Sequence, residues 1–169
     1  NVLAGDKVQF YGNGTSITSY SYTTINHASS TAKVKAYGNI MSLVDEENFP
    51  TAKTLTSDGA FNHLFNTSLT DNNTSLTDAS GLLLPATTLT QNCYQHLFNR
   101  CTALTAAPEL PATTMANECY SYMFFNCTAL TVAPELPSTE LAEGCYYSMF
   151  TNCTALAGIV IPEGVTSIS

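Results

Sequence analysis

A repeat of 26 residues runs through the second half of this 169-residue chain. The text CYQHLFNRCTALTAAPELP at 93–111 returns as CYSYMFFNCTALTVAPELP at 119–137, and its first part returns as CYYSMFTNCTAL at 145–156. Each copy carries two cysteines at the same places, which are Cys93, Cys119 and Cys145 in one series and Cys101, Cys127 and Cys153 in the other. Self-similarity at a period of ~20–50 residues indicates an array of stacked units.

A degenerate copy of the repeat comes earlier in the chain. FNHLF at 61–65 matches YQHLF at 94–98 at an offset of 33 residues, whereas LPATT at 84–88 matches the same letters at 110–114 at an offset of 26. The decreasing offset predicts insertions between the two matches, above all near residues 66–73. Insertions of this kind usually form loops on one face of an array.

The repeat predicts one short strand and one short helical segment. Leu104–Ala107 has the composition of a strand, and Pro108 ends it early because proline donates no ladder hydrogen bond. Residues 118–125 carry apolar side chains at the spacing of one helix face, and Asn126 is a typical residue for the end of a helix. We therefore expect a strand and a helical turn in every copy.

One copy on its own cannot form a stable core. It offers about six buried side chains, which contribute roughly 10–15 kcal/mol, against ~26–50 kcal/mol of backbone entropy lost on ordering. Stacking on neighbours must supply the difference, so stability becomes a property of neighbouring pairs. The expected core residues of one unit are Leu97, Phe98, Leu104, Ala107, Leu110 and Met115.

Repeats of ~20–29 residues with one strand and one helical turn describe the leucine-rich-repeat solenoid, an α/β fold with right-handed coils. The chain resembles one branch of that class, the BspA-like leucine-rich repeat proteins of bacterial cell surfaces, in particular those of gut anaerobes. The likeness rests on MFFNCTALTVAPELP at 123–137, MFTNCTAL at 149–156 and IPEGVTSI at 161–168, and it covers roughly residues 56–169. AYGNIMSL at 36–43 is similar to the segment that precedes such arrays.

This resemblance implies a solenoid of about four repeats over residues 56–169, the last repeat being incomplete. It also implies an exported protein of the bacterial cell surface, whose signal or lipid anchor lies outside this chain. The family is further associated with contacts to other proteins, often described as adhesion to host matrix proteins. The resemblance specifies the fold far more closely than the partner.

Residues 1–55 do not repeat. KVQF at 7–10 and AKVKAY at 32–37 alternate polar and apolar residues, as half-buried strands do, and Gly12–Gly14 marks a turn. The lysines of the second predicted strand would protect an open sheet edge from unwanted pairing. We interpret the region as a β-rich N-terminal cap, and a separate binding domain is the alternative.

The charge of the chain excludes several classes of partner. The formal net charge is −8, and residues 101–169 hold six Glu and neither Lys nor Arg. Such a surface repels phosphate, so nucleic acid and anionic membrane surfaces are poor partners. The longest apolar runs, at 82–84 and 159–161, are much shorter than the ~18 residues of a membrane span, so we expect no insertion of this segment into a bilayer.

The cysteines suggest a chemistry that the repeats argue against. Cys93, His96 and Cys101 have the spacing of a zinc knuckle or of a Cys/His nucleophile pair. The position of His96 becomes Tyr122 and Ser148 in the following copies, while both cysteines persist, so a site that needs the histidine is excluded. We expect six structural cysteines, no metal, no cofactor and no catalytic residue. Free buried thiols and a disulfide within each repeat both remain open.

The strand side of the array is the expected ligand-binding face. Its candidate residues are one threonine in each of three copies and a glutamate in two of them, namely Thr77, Thr105, Thr131, Glu109 and Glu135. These side chains predict a non-enzymatic recognition module that binds a protein or a glycan, such as a host matrix protein or mucin. The alternatives are a structural spacer with no ligand of its own and an enzyme, for which the sequence offers no Gly-rich phosphate loop and no paired carboxylates.

Overall fold

Regular secondary structure is sparse in the part of the chain that the structure describes. The computed structural model describes residues 7–8, 32–65 and 70–165. Within these ranges the regular elements are strand β1 (Val34–Asn39), a 3-10 helix (Ile40–Leu43) and strand β2 (Leu76–Leu83). The predicted turn at 12–14 and part of the predicted insertion, residues 66–69, lie outside the described residues.

The two strands pair in parallel and form a two-stranded sheet. β1 confirms the strand predicted at 32–37, and Lys35 of β1 forms an ion pair with Asp78 of β2 at 3.1 Å. The register slips twice along the pair, and beyond the slips Tyr37 lies opposite Gly81. A β-carbon at position 81 would stand 3.1 Å from the Tyr37 Cβ, so glycine allows this close approach of the strands.

Strand pairing between the later copies is reduced to isolated bridges. The strand predicted at Leu104–Ala107 pairs with β2 through one parallel bridge, between Asp78 and Ala106. The brevity of this pairing agrees with the position of Pro108, which is buried and has no N–H group to donate. A second line of parallel bridges runs along another side of the copies and joins Thr54, Thr88 and Thr114.

The helical segment predicted at 118–125 is a run of overlapping turns instead. Equivalent runs occur in all four copies, and we call them the turn ribbons: 59–65, 92–101, 118–127 and 144–153. Inside a ribbon, every second N–H group donates to the carbonyl three residues earlier, as Leu97 N does to Tyr94 O at 3.1 Å. The described residues contain no α-helix.

The remaining N–H groups of the first three turn ribbons donate to the next copy. Tyr94 N donates to Cys119 O at 2.9 Å, and Tyr120 N donates to Cys145 O at 2.9 Å. Bonds of this kind recur at every second residue between each pair of consecutive ribbons, at 2.7–3.1 Å. A helix would close its hydrogen bonds internally and leave none for a neighbour along its length. The ribbons therefore fasten the copies to one another through the backbone, which helices could not do.

Left-handed backbone at every fourth residue shapes the ribbon. Every second turn of a ribbon has a positive φ at its third residue, and His96 (φ 57°), Tyr122 (φ 55°) and Ser148 (φ 51°) hold that position in successive copies. Asn126 (φ 61°) is also left-handed, so the residue expected to end a helix takes part in the last turn of its ribbon. Because this conformation costs non-glycine residues roughly 1–2 kcal/mol each, the bonds and packing between copies must offset it.

The inward side chains of the ribbons stack in columns. One column holds Phe61, Tyr94, Tyr120 and Tyr146, with ring centroids 5.5, 5.6 and 6.0 Å apart. Another holds Phe65, Phe98, Phe124 and Phe150, with centroids 5.2, 5.4 and 5.6 Å apart. The predicted core is confirmed, since four of its members are buried and the other two, Ala107 and Met115, are partly buried. The copies thus lie much closer together than packed helices, whose axes are ~8–10 Å apart.

We expect Asn126→Gly to be more stable than Asn126→Ala by about 1 kcal/mol, because glycine adopts a positive φ without a steric cost. Both substitutions remove the amide group, so their difference reports the backbone conformation. Urea unfolding at constant pH measures it. The control is Asn117, whose φ is not positive: there the alanine variant should be the more stable one, because glycine adds entropy to the unfolded chain. The same order at both positions would contradict the turn ribbon.

Candidate functional site

The threonines of the predicted ligand face lie in one row across the copies. Thr105 N donates to Thr77 O at 2.9 Å. In the last pair of copies Ala157 N donates to Thr131 O at 3.4 Å. The Thr105 hydroxyl also donates to Thr77 O of the preceding copy at 2.9 Å, and the Thr77 hydroxyl donates to Val34 O of β1 at 3.1 Å. Thr77 is half-buried, whereas Thr105 and Thr131 are exposed, so the row both joins the copies and reaches solvent.

Both predicted glutamates are exposed. Glu109 lies between Pro108 and Leu110, which are both buried, and Glu135 holds the same place in the next copy. The alternation turns the carboxylates outward while their neighbours pack inward. The equivalent place in β2 is taken by Leu83, which is also exposed. This outer row therefore changes from apolar to acidic along the copies.

The predicted site residues are only partly brought together. Thr77 and Thr105 are joined directly, but no hydrogen bond among the described residues links either glutamate to a threonine of the row. The face is a set of separate solvent-facing groups that recur from copy to copy. Such a surface suits contact with a broad partner better than it suits enclosure of a small molecule.

An ion pair that sequence reasoning missed lies beside Thr77. The Asp78 carboxylate accepts hydrogen bonds from Ser80 N at 2.9 Å and Ser80 Oγ at 2.7 Å, and Lys35 Nζ lies 3.1 Å from Asp78 Oδ2. The bonds from Ser80, and after them Lys35, lower the pKa of Asp78 to about 2. The pairing depends on the register of β1 against β2, and no local pattern in the sequence reveals that register.

All six cysteines are buried and free. In the second series the thiols donate to a carbonyl of the preceding copy, from Cys127 Sγ to Phe98 O at 3.1 Å and from Cys153 Sγ to Phe124 O at 3.0 Å. Burial raises the pKa of Cys119 to about 12, and it raises the pKa of the other five thiols as well. Of the two alternatives, the structure has free thiols, which fill space as small apolar groups with a weak donor.

We expect the six thiols to resist an alkylating reagent in the native protein at about pH 8 and to react after unfolding. Burial keeps the reagent away from the thiols and disfavours their ionisation to the reactive thiolate. Mass spectrometry without reductant, on protein labelled before and after denaturation, counts the modified thiols. We expect no labelled thiol in the native protein and six labelled thiols after denaturation. A mass lower by two hydrogens for each cysteine pair, with no labelling after unfolding, would reveal disulfides and contradict the structure.

A row of stacked rings lies on the ribbons outside the two core columns. His63 stacks on His96 at 4.3 Å between ring centroids, and His96 stacks on Tyr122 at 4.7 Å. Asn99 Nδ2 lies 2.6 Å from His96 Nδ1. Burial, and after it the neighbouring His63, lower the pKa of His96 to about 4; burial also lowers the pKa of His63. The alignment of the two histidines in the sequence indicated a shared position, and the structure shows that their rings are in direct contact.

Acidification should destabilise the protein through this stack. Unfolded His96 takes up a proton below pH ~6.5, whereas the native ring stays neutral down to about pH 4, so stability falls as the pH drops between these values. His96→Tyr places in the second ribbon the residue that the third ribbon carries at Tyr122. The variant should lose less in melting temperature than the unsubstituted protein between about pH 7.5 and pH 4.5. Since the carboxylates are common to both proteins, equal losses would contradict the assignment.

Cys93, His96 and Cys101, whose spacing resembles that of a zinc or nucleophile site, lie in different surroundings in the structure. Cys93 and Cys101 are buried, while the half-buried His96 ring stacks between His63 and Tyr122. In the part of the chain that the structure describes, no group of three or more His, Cys, Asp or Glu side chains is placed to hold a metal ion. The geometry therefore gives these residues a packing role.

Comparisons with protein-family models, with curated proteins and with solved structures found no match. Among the described residues, no helix is both long enough and apolar enough to cross a bilayer. The function of the chain must therefore be inferred from its own surface.

Proposed function

We propose that this chain is a non-enzymatic recognition module: a right-handed leucine-rich-repeat solenoid of the BspA-like type, carried on a bacterial cell surface. Stacking of 26-residue copies through contacts between equivalent residues supports the fold. The observation that carries the function is the row of exposed side chains at equivalent places in neighbouring copies, Thr105 and Glu109 in one and Thr131 and Glu135 in the next. Partners bind this strand side of the solenoid.

The charge of the chain favours a protein partner with a basic surface. Arg100 is the last basic residue of the sequence, and the six glutamates that follow it are all exposed. Carboxylates at this density attract lysine and arginine and repel the sulfate and sialate groups of mucin glycans. A basic region of a host matrix protein therefore fits the face better than an acidic glycan does.

Backbone bonding between the copies prepares the face for binding. Thr105 and Glu109 belong to the copy of the second turn ribbon, which is bonded to the first ribbon on one side and to the third on the other. Groups held in place before binding lose little conformational entropy when they meet a partner. The fixed positions of these groups favour recognition by a broad, pre-formed surface. Because little entropy is lost on binding, several weak contacts can add up to a useful affinity.

The titratable groups of the described residues support a non-enzymatic role. The groups with shifted pKa values are the buried thiols, four tyrosines, the stacked histidines and Asp78. Burial accounts for most of these shifts, and hydrogen bonds with Ser80 and the Lys35 ion pair account for that of Asp78. No two such groups face a common cavity with the complementary roles of an acid and a base.

A spacer with no ligand is the second candidate, and the hydroxyls of the row favour it. The Thr77 hydroxyl donates to β1 and the Thr105 hydroxyl donates to the preceding copy, so part of their hydrogen-bonding capacity already serves the fold. A spacer needs this internal bonding but has no use for exposed carboxylates at fixed places. Removing the carboxylate charges therefore separates the two candidates.

The test is binding of the immobilised chain to a panel of host matrix proteins and mucin glycans at two salt concentrations. We expect saturable binding to a basic matrix protein that weakens as salt rises, because exposed charges are screened. The double variant Glu109→Gln with Glu135→Gln should bind about tenfold more weakly. The matched control, Glu140→Gln with Glu143→Gln, removes the same charge from other exposed positions and should bind nearly as well as the unsubstituted chain.

Two results would contradict the proposal. Absence of binding across the panel would favour the spacer. Equal weakening in both double variants would mean that net charge alone attracts the partner, and the row at Glu109 and Glu135 would then not be the site.

A further inference from the structure

The outer row of the strand side, which consists of Leu83, Glu109 and Glu135, continues into an apolar patch at the β1 end of the stack. Leu83 is 56% exposed, and Tyr37 of β1 is 53% exposed. A β-carbon at Gly81 would lie 3.1 Å from the Tyr37 Cβ, and Gly81 and Leu83 are alternate, exposed residues of β2. Alternate residues of a strand share a face. The strand side therefore presents two neighbouring apolar side chains first and two carboxylates after them.

The charges around the outer row favour different partner groups at its two ends. Lys7 Nζ lies 6.0 Å from the centre of the Tyr37 ring. Because this ammonium group repels a second cation, the first end of the row suits an apolar side chain. At the other end, neither Glu109 nor Glu135 takes part in an ion pair with any residue that the structure describes. These carboxylates are open to basic side chains.

The interval between neighbours in the outer row matches one turn of an α-helix. Copies bridged as parallel strands are ~4.8 Å apart, and equivalent rings of the core columns are 5.2–6.0 Å apart. An α-helix advances ~5.4 Å per turn, so its residues i, i+4 and i+7 share one face and meet three successive copies. An extended strand repeats its side chains on one face at ~6.7 Å, which exceeds the spacing of the copies.

We propose that the outer row binds a basic amphipathic helix of the partner protein, laid along the stack. Its apolar residue packs on Leu83, and its lysine or arginine residues, one and two turns further on, meet Glu109 and Glu135. Val132, which is 72% exposed and lies three residues before Glu135, offers an apolar surface to the hydrocarbon stem of a basic residue. The inference rests on the proposed function and deepens it, because it names the conformation of the partner and the order of its side chains.

A second copy of this chain does not meet these requirements. The described residues contain no α-helix, and no basic residue follows Arg100 in the sequence. The partner is therefore a different protein, one that brings its own helix and its own positive charge.

The test is an NMR titration of the isotope-labelled chain with designed peptides at low salt. A covalent side-chain staple holds the helix of each helical peptide, because short peptides are only marginally helical in water. The matching peptide carries leucine at position i and lysine at i+4 and i+7. A control helix has the same composition but carries its lysines at i+2 and i+6, on the opposite face. A control strand carries leucine and both lysines at alternate residues, on one face.

We expect the matching peptide to bind at least about tenfold more tightly than either control. Glu109→Gln with Glu135→Gln should weaken its binding about tenfold, because both basic residues lose their partners. Leu83→Ser should weaken its binding severalfold. The matched control for that variant is Tyr147→Ser, which removes an exposed apolar side chain from the fourth turn ribbon and should leave binding unchanged.

Equal binding of the matching peptide and the control helix would overturn the inference, because net charge alone would then attract the peptide. Tighter binding of the control strand would overturn it, because the partner would then be extended. Unchanged binding of the matching peptide to Leu83→Ser would also overturn it. In each case, a basic matrix protein that still binds through Glu109 and Glu135 leaves the proposed function in place. Absence of binding by all the peptides and by every matrix protein would overturn both.

Discussion

The division of backbone hydrogen bonds in the turn ribbons is the constraint on which the other features depend. Along each of the first three ribbons, alternate N–H groups close turns, and the others donate to the following copy, as Tyr94 N does to Cys119 O. The carbonyls divide in the same way, so one edge of a ribbon carries donors and the other acceptors. Copies can therefore stack in one direction only, and each copy is bound through its backbone to both neighbours. The ring columns and the outer rows follow from this spacing.

Packing and bonding reinforce each other because both repeat with the ribbon. A bond from Tyr120 N to Cys145 O sets the neighbouring rings at Tyr120 and Tyr146, whose centroids are 6.0 Å apart. Residues with a positive φ, such as Tyr122, carry a local cost that these contacts offset. Stability then resides in pairs of neighbours, as expected for repeat proteins, and the copy at either end depends on whatever covers its outer face.

The sequence was a good guide to the repeat and to its buried residues, but it misled about the local conformation. The pairs Cys119–Tyr120 and Met123–Phe124 recur at a spacing of four, which over two turns fits a helix as well as a turn ribbon. Asn126, Tyr122 and Gly144 all have a positive φ. Asparagine and glycine are residue types that tolerate this conformation, but a tyrosine gives no hint of it in the sequence. Only bonding between copies distinguishes the two conformations, and that bonding is not a local property of the sequence.

The candidate site shows the same limit. Exposure of Glu109 and Glu135 follows from the alternation with buried neighbours and was predictable. The ion pair of Lys35 with Asp78 depends on the pairing of distant strands. Helices packed ~8–10 Å apart would hold equivalent cysteines too far apart for a disulfide, but the copies stack more closely than helices do, so distance does not explain the free thiols. The free thiols are explained by their burial and by donation to carbonyls, as from Cys127 Sγ to Phe98 O.

Detection of hydrogen-bond scalar couplings by NMR, between amide nitrogens and carbonyl carbons, tests the central claim most directly. The turn ribbon predicts a correlation from Phe124 N to the carbonyl of Met149, and from Phe98 N to that of Met123. A helix over residues 118–125 would instead bond Phe124 N to the carbonyl four residues earlier, that of Tyr120. Correlations between copies would establish the ribbon, and correlations to Tyr120 without any between copies would contradict it.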